Sequence, residues 1–211
     1  QEGLLAEIDY RNVPNFRNIS ANFRDLAYDP ENKHSIPFNW GTTGLLVRRD
    51  LVPEGVDSWA DLWDPRYAGR VAGWDLPRDQ LEVTLKSLGY SANSEDPQEL
   101  EAALERLLQL QAGGALLWSG EEDSIIPPLA DGRAVIAWGW AFDAALARDE
   151  GLAVDYVLPK EGSILWGDNW LIPASSPNRY TAELFLNFVL RPEISVLISA
   201  RGLGNWTAFL F

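Results

Sequence analysis

The sequence predicts an α/β protein. Three observations carry that reading: short apolar strands alternate with helices along all 211 residues, the composition is 46% apolar and 23% charged, and no internal repeat or low-complexity tract interrupts the pattern. The length suits one large domain or two small lobes. No Gly/Ser linker is present, so two lobes would be joined by strands.

The first thirty residues read as an irregular stretch, with a possible helix end at Gln1–Leu5 followed by Asn-, Pro- and Asp-rich turns. Ser35–Leu46 is apolar and β-rich, and its Trp-Gly pair predicts strands on either side of a break at Gly41. Ser58 is placed to cap one or two helical turns over Trp59–Trp63, stopped by Pro65. Arg70–Trp74 reads as a strand. Leu81, Val83, Leu85 and Leu88 predict a helix over Gln80–Leu88, ended by Gly89. Asp96-Pro97-Gln98-Glu99 is the clearest start signal: Asp96 caps, Pro97 takes the first helical position, and Glu99 can answer the cap's own N–H. Leu100, Ala103, Leu104, Leu107, Leu108 and Gln111 then predict one apolar face.

Leu116–Trp118 and Ala134–Trp138 are predicted strands, with a polar helix and Pro127-Pro128 between them. Gly113-Gly114 reads as a turn. Val154–Leu158 and Trp170–Ile172 are further strands. Tyr180–Leu190 and Glu193–Ala200 are helices separated by Arg191-Pro192, with Gly202 ending the second.

Composition narrows the chemistry. A net charge of -14 sets up a field that repels nucleic acid and favours cationic partners, besides serving solubility. The absence of Cys excludes disulfides, thiolate metal sites and cysteine nucleophiles. The single His, His34, has no sequence partners for a triad or a zinc site and reads as a surface residue. No Gly-rich phosphate loop of either standard spacing occurs. The reading expects no cofactor and no metal. No run of about 18 uncharged apolar residues exists to span a bilayer. No basic, apolar, small-residue leader stands at Gln1, and a signal peptide would lie outside this sequence. Glu121 and Glu122 are candidate acids for a sugar cleft, and read equally well as the exposed first turn of a helix.

Ten Trp stand out, because Trp serves where a large flat surface must touch something. Three segments set aromatics beside carboxylates: Trp74-Asp75 with Asp79, Trp138-Gly139-Trp140 with Asp143, and Trp166-Gly167-Asp168. Each falls where a strand gives way to a turn or helix, and ligands gather at such ends in open α/β sheets. An aromatic face attracts a cation by roughly 0.5–2 kcal/mol, and a carboxylate bonded to an ammonium adds about 1.5–3 kcal/mol. Together they suit a flexible cation whose methylenes lie on rings and whose ends meet carboxylates. One reading sets Trp138 and Trp140 on opposite sides of a strand, with at most one at the ligand, and Trp140 is then preferred.

Several motifs resemble the spermidine/putrescine-binding proteins. Ser35-Ile36-Pro37-Phe38-Asn39-Trp40-Gly41-Thr42-Thr43-Gly44 resembles that family's SIPY-x-WG-x-T segment, and Ser58-Trp59-Ala60-Asp61-Leu62-Trp63 with Tyr67-Ala68-Gly69 its SWADLW…Y-x-G stretch. Leu88-Gly89-Tyr90-Ser91, Asp96-Pro97, Pro159-Lys160-Glu161-Gly162 and Asn187-Phe188-Val189-Leu190-Arg191-Pro192 follow in the family's order. SWADLW and PKEG also occur in related families with other ligands.

The resemblance implies a type II periplasmic-binding-protein fold, with two α/β lobes that close on a ligand. It implies ligand-binding roles for Trp140 and Asp143, for Trp166 and Asp168, and for Asp79 where the family has a Glu. Asp75 and Arg78 sit in the matching turn. A carboxylate that some spermidine binders use beside Asp75 is Leu76 here. Gly202-Leu203-Gly204-Asn205-Trp206 stands where the family has a Gly-Tyr-Pro-Thr-Pro segment, so a family Tyr is lost. The first lobe reads as incomplete, lacking the family's opening βαβ portion and its terminal helices. Residues 1–46 would be partial first lobe and crossing strand, 47–158 the second lobe, and 159–211 the return strand with first-lobe helices. The implied function is extracytoplasmic: capture of a small polycation of the putrescine or spermidine kind, without catalysis, for delivery to an ABC transporter permease. Apolar helix faces left uncovered would favour self-association or a complementing chain. A carbohydrate-active enzyme with Trp platforms and a sensor module on the same fold are the alternatives.

Overall fold

A computed structural model of the protein describes residues 3–118 and 125–200. The chain forms two compact units, a smaller one from Gln1–Gly41 with Trp166–Phe211 and a larger one from Thr42–Leu165. The divisions fall at 41/42 and 165/166, beside the 46/47 and 158/159 read from the sequence. Both lie inside strands, β1 (Ser35–Arg48) and β6 (Ile164–Leu171), which pair with each other.

The remaining strands are β2 (Val71–Trp74), β3 (Leu116–Trp118), β4 (Ile136–Trp140) and β5 (Val154–Val157), and the sheet order is β3-β2-β4-β1-β5. β2 runs parallel to β3 and β4, while β1 is antiparallel to β4 and β5. Successive residues of β1 serve opposite faces, as strand geometry requires. Leu45 and Val47 join Trp59, Val83, Leu110 and Trp138, whereas Leu46 joins Ala72, Ile125, Leu129, Ala144 and Ala147. One face is thereby covered by α1 (Pro77–Ser87) and α2 (Pro97–Ala112), the other by α3 (Ile126–Ala130) and α4 (Ala141–Asp149).

Two segments that carry the resemblance meet here as structure. Ser58 caps the 3-10 turn Trp59–Trp63, and Asp61 returns to the Ser58 N–H at 3.0 Å. The Glu161 carboxylate accepts from the Ser58 hydroxyl and, at 3.2 Å, from the Trp59 N–H, while the Trp59 indole donates to the Gly162 carbonyl at 3.0 Å.

The smaller unit packs Ile8, Val13, Ile19, Ile36 and Ile172 against Leu186 and Leu190 of α5 (Arg179–Val189), which α6 (Pro192–Ala200) follows. Polar side chains lace its two stretches together. Buried Glu183 accepts from the Asp9 N–H at 3.0 Å and from Asn12 Nδ2 at 2.7 Å, and Asn187 exchanges two hydrogen bonds with Asn15, each 2.9 Å. Asp29 accepts from the backbone of His34 and Ser35 and from the Ser35 hydroxyl. Burial pushes that carboxyl up, and these bonds outweigh it, holding it below the usual range.

Several expectations change. β1 runs unbroken through Gly41, because the Trp166 ring packs where a Gly41 Cβ would stand, 2.3 Å away. Glycine there admits a neighbouring ring rather than ending a strand. β6 begins at Ile164, six residues before the predicted start. On α2 the buried residues are Ala103, Leu107 and Leu110, and Leu104 and Leu108 are exposed. Asp96 caps Gln98 at 2.8 Å, but Glu99 accepts from Ser94 at 2.5 Å, and the Asp96 N–H goes to the Ser94 hydroxyl at 3.2 Å. α1 starts at Pro77, α4 lacks a counterpart among the predicted elements, and Pro127 and Pro128 lie inside α3. Pro192 opens α6 rather than only separating two helices. His34 is half-buried, with Nδ1 3.2 Å from the Ala6 carbonyl oxygen. Glu121, Glu122 and the segment from Gly202 lie outside the described residues.

Candidate functional site

Trp74 and Trp140 end the parallel neighbours β2 and β4, so the sheet itself brings two indoles together. Their rings stack with centroids 5.1 Å apart and planes 21° apart. Trp138 and Trp140 enter different clusters, Trp138 buried with Trp59 and Trp140 half-buried against Trp74. Residues two apart in a regular strand share a face. Here Trp140 is also the residue preceding α4, so the chain is already turning away from the strand.

Asp143, in the first turn of α4, is 4% exposed. Its Oδ2 accepts the Trp140 N–H at 2.7 Å and packs against Gly139, where a Cβ would lie 2.8 Å from that oxygen and from Leu46. Burial pushes the carboxyl up to about 6, against the opposing pull of the Trp140 N–H and the Trp74 indole. Tyr156 of β5 stands in the field of Asp143, and burial first, then that charge, raises its phenol, against the hydrogen bond from Thr42. The Tyr156 hydroxyl donates to the Thr42 carbonyl at 2.7 Å and lies 2.8 Å from the Thr42 hydroxyl.

Asp75 and Asp79 flank the start of α1. Asp75 is exposed and accepts from Gln80 Nε2 at 2.9 Å. Asp79 is half-buried, and burial and Glu82 raise its carboxyl against the pull of Arg78. Arg78 itself pairs with Glu82 at 2.7 Å. Trp166 and Asp168 lie on β6 in the smaller unit, the ring half-buried against Gly41 and the carboxylate exposed. The predicted residues thus divide into Asp75, Asp79, Trp140 and Asp143 on the larger unit and Trp166 and Asp168 on the smaller.

Trp74 belongs with the first group, and the aromatic-beside-carboxylate pattern already pointed to its segment. Tyr156 and Thr42 gave no such signal, because an isolated Tyr in a short strand reads as packing. Among the described residues no cluster of three His, Asp or Glu is arranged to hold a metal ion, and no helix is long and apolar enough to cross a membrane.

A half-buried aromatic wall beside a carboxyl has the chemistry to hold a cation. The profile of the family described as bacterial extracellular solute-binding protein matches residues 1–210. This chain belongs to that family. It is 38% identical over 196 residues to the spermidine/putrescine-binding periplasmic protein of Escherichia coli (strain K12), covering 92% of this chain and 56% of that protein. It is 28% identical over 211 residues to a putrescine/agmatine-binding protein of Pseudomonas aeruginosa, covering 91% and 57%. Among solved structures, a putative spermidine/putrescine ABC transporter from Listeria monocytogenes superposes with a TM-score of 0.88 at 33% identity, over 99% of this chain and 63% of that one. The fold is that of the periplasmic binding proteins, and the chain spans little more than half the length of the curated relatives it matches.

Proposed function

We propose that this chain is the ligand-binding part of an extracytoplasmic protein that captures a small polycation, of the putrescine or spermidine kind, for an ABC importer. The observation that carries the reading is the stacked Trp74–Trp140 pair beside a buried carboxyl with a hydrogen bond from only one backbone N–H, in a chain whose relatives are named for polyamines. Trp140 covers methylenes and Asp143 meets an ammonium. Asp75 and Asp79 add negative potential at the start of α1. On the smaller unit, Trp166 and Asp168 pair a ring with a carboxylate of the same chemistry, suited to an amine in their own right, and the importer's permease receives the loaded protein.

Isothermal titration against putrescine, spermidine, amino acids, sugars and ferric ion tests this. Amines are expected to bind and the others not. Asp168→Asn keeps shape and hydrogen bonding but removes the charge, so it should weaken amine binding by about 1.5–3 kcal/mol, roughly ten- to a hundredfold. Sugar binding in place of amine binding would overturn the ligand class. Equal affinities of wild type and Asp168→Asn, at equal thermal stability, would remove Asp168 from the site.

A further inference from the structure

Resting on the amine reading above, Asp143 carries a second consequence. Among the described residues, the carboxyl lies beside groups that bring no positive charge. Trp74 of β2 and Trp140 of β4 act on it directly, and Leu46 of β1 and Ile125 before α3 border the same space beside Gly139. From β5 it feels Tyr156, whose phenolic proton is already committed to the Thr42 carbonyl at 2.7 Å. Among the described residues, charged groups of the adjoining elements are engaged elsewhere. Arg148, further along α4, donates to the Val154 carbonyl at 2.7 Å, and Arg49 pairs with Asp155 at 3.3 Å on the surface. Asp75 is turned to Gln80 and Arg78 to Glu82.

An ionised carboxylate needs several donors, and here it has one formed hydrogen bond, from Trp140. A second donor waits close by. The Trp74 indole N–H is buried with no hydrogen bond formed, yet it lies near enough to Asp143 to favour the charged form. An unsatisfied buried N–H costs free energy unless something later uses it.

We infer that in mildly acidic medium Trp74 and Asp143 form a proton switch: there the carboxyl keeps its proton while the site is empty and yields it to solvent when an ammonium arrives. The O–H bond breaks heterolytically, water or buffer takes the proton, and the electron pair stays on the carboxylate, which the ammonium neutralises. Trp74 is the positioning residue, because its ring stacks on Trp140 and its N–H can donate to the newly ionised oxygen. Amine capture is then coupled to proton release, and acid favours ligand discharge.

Side-chain carboxyl NMR on the chain labelled with 13C-aspartate tests this, with Asp143→Asn identifying the resonance. Asp143 is expected to titrate near pH 6. Saturating putrescine should lower that midpoint. Trp74→Phe keeps the stack and removes the N–H, so it should raise the midpoint. Calorimetry should find putrescine bound roughly tenfold more weakly at pH 5 than at pH 8. A resonance that titrates in the ordinary carboxylate range overturns the switch, as does a midpoint that bound putrescine leaves unmoved. The wild-type measurements decide this even if Trp74→Phe fails to fold. No heat from putrescine at pH 8, where Asp143 is ionised with or without ligand, instead overturns the amine reading and the ligand half of the switch with it.

Discussion

Asp143 also sets a stability signature that needs no ligand. Burial raises its carboxyl from 3.8 to about 6 in the folded chain, so the folded state binds the proton more tightly than the unfolded state. The stability this contributes is fully present below about pH 4 and is lost as pH rises through about 6. Above that, the folded chain carries a buried carboxylate at a cost on the order of 3 kcal/mol. Asn at this position can still accept the Trp140 N–H without the charge. Asp143→Asn should therefore stabilise the protein by about 1–3 kcal/mol at pH 8, with the gain shrinking towards zero near pH 4. Urea unfolding at pH 4, 6 and 8 measures it. A pH-independent difference would mean that burial does not disfavour the charge. The residue types of the site were legible in the sequence, since Trp and Asp at strand ends are a local pattern. That Asp143 also secures the start of α4 was not, because the backbone N–H it accepts is visible only once the strand has turned into the helix.

At the scale of elements, legibility follows how local the cause is. The caps at Ser58 and Asp96 rest on neighbouring residues, and both form. The unbroken β1 and the exposure of Leu104 and Leu108 depend on what other elements bring. The Trp166 ring decides the first, and the choice among closely spaced leucines on α2 depends on what packs against that helix. Gly73 shows the same dependence in the middle of β2. A Cβ there would lie 1.9 Å from the Trp138 ring, which is 1% exposed and has no room to withdraw. Gly73→Ala should destabilise the larger unit by about 1–3 kcal/mol or more, in spite of alanine's better strand entropy. Thermal and urea unfolding would register it, and a neutral outcome would show that the ring can shift at little cost.

For the whole molecule, the two units differ in how the chain builds them. The alternation of strands and helices was enough to predict an α/β protein, and the two lobes joined by strands came from the family resemblance. The exact residues where one part gives way to the other were not legible, because each boundary lies within a continuous strand, β1 or β6. Exposed Tyr180, Leu184 and Phe188 recur every fourth residue on α5, so that helix keeps an apolar stripe in solvent. The smaller unit also depends on the lacing of Asp9, Asn12 and Asn15 to Glu183 and Asn187, pairs 171 to 174 residues apart. Closing so long a loop is slow compared with pairing β2, β3 and β4 within one continuous stretch. In a refolding chain, pulsed hydrogen exchange should protect the amides of β2, β4 and α2 before those of Asp9 and Asn15, and simultaneous protection would contradict this order. On the ribosome the consequence is a waiting period. The larger unit can fold as it emerges, while Asp9, Asn12 and Asn15 lack their partners on α5 until Asn187 has left the exit tunnel, and until then that stretch is exposed to chaperones.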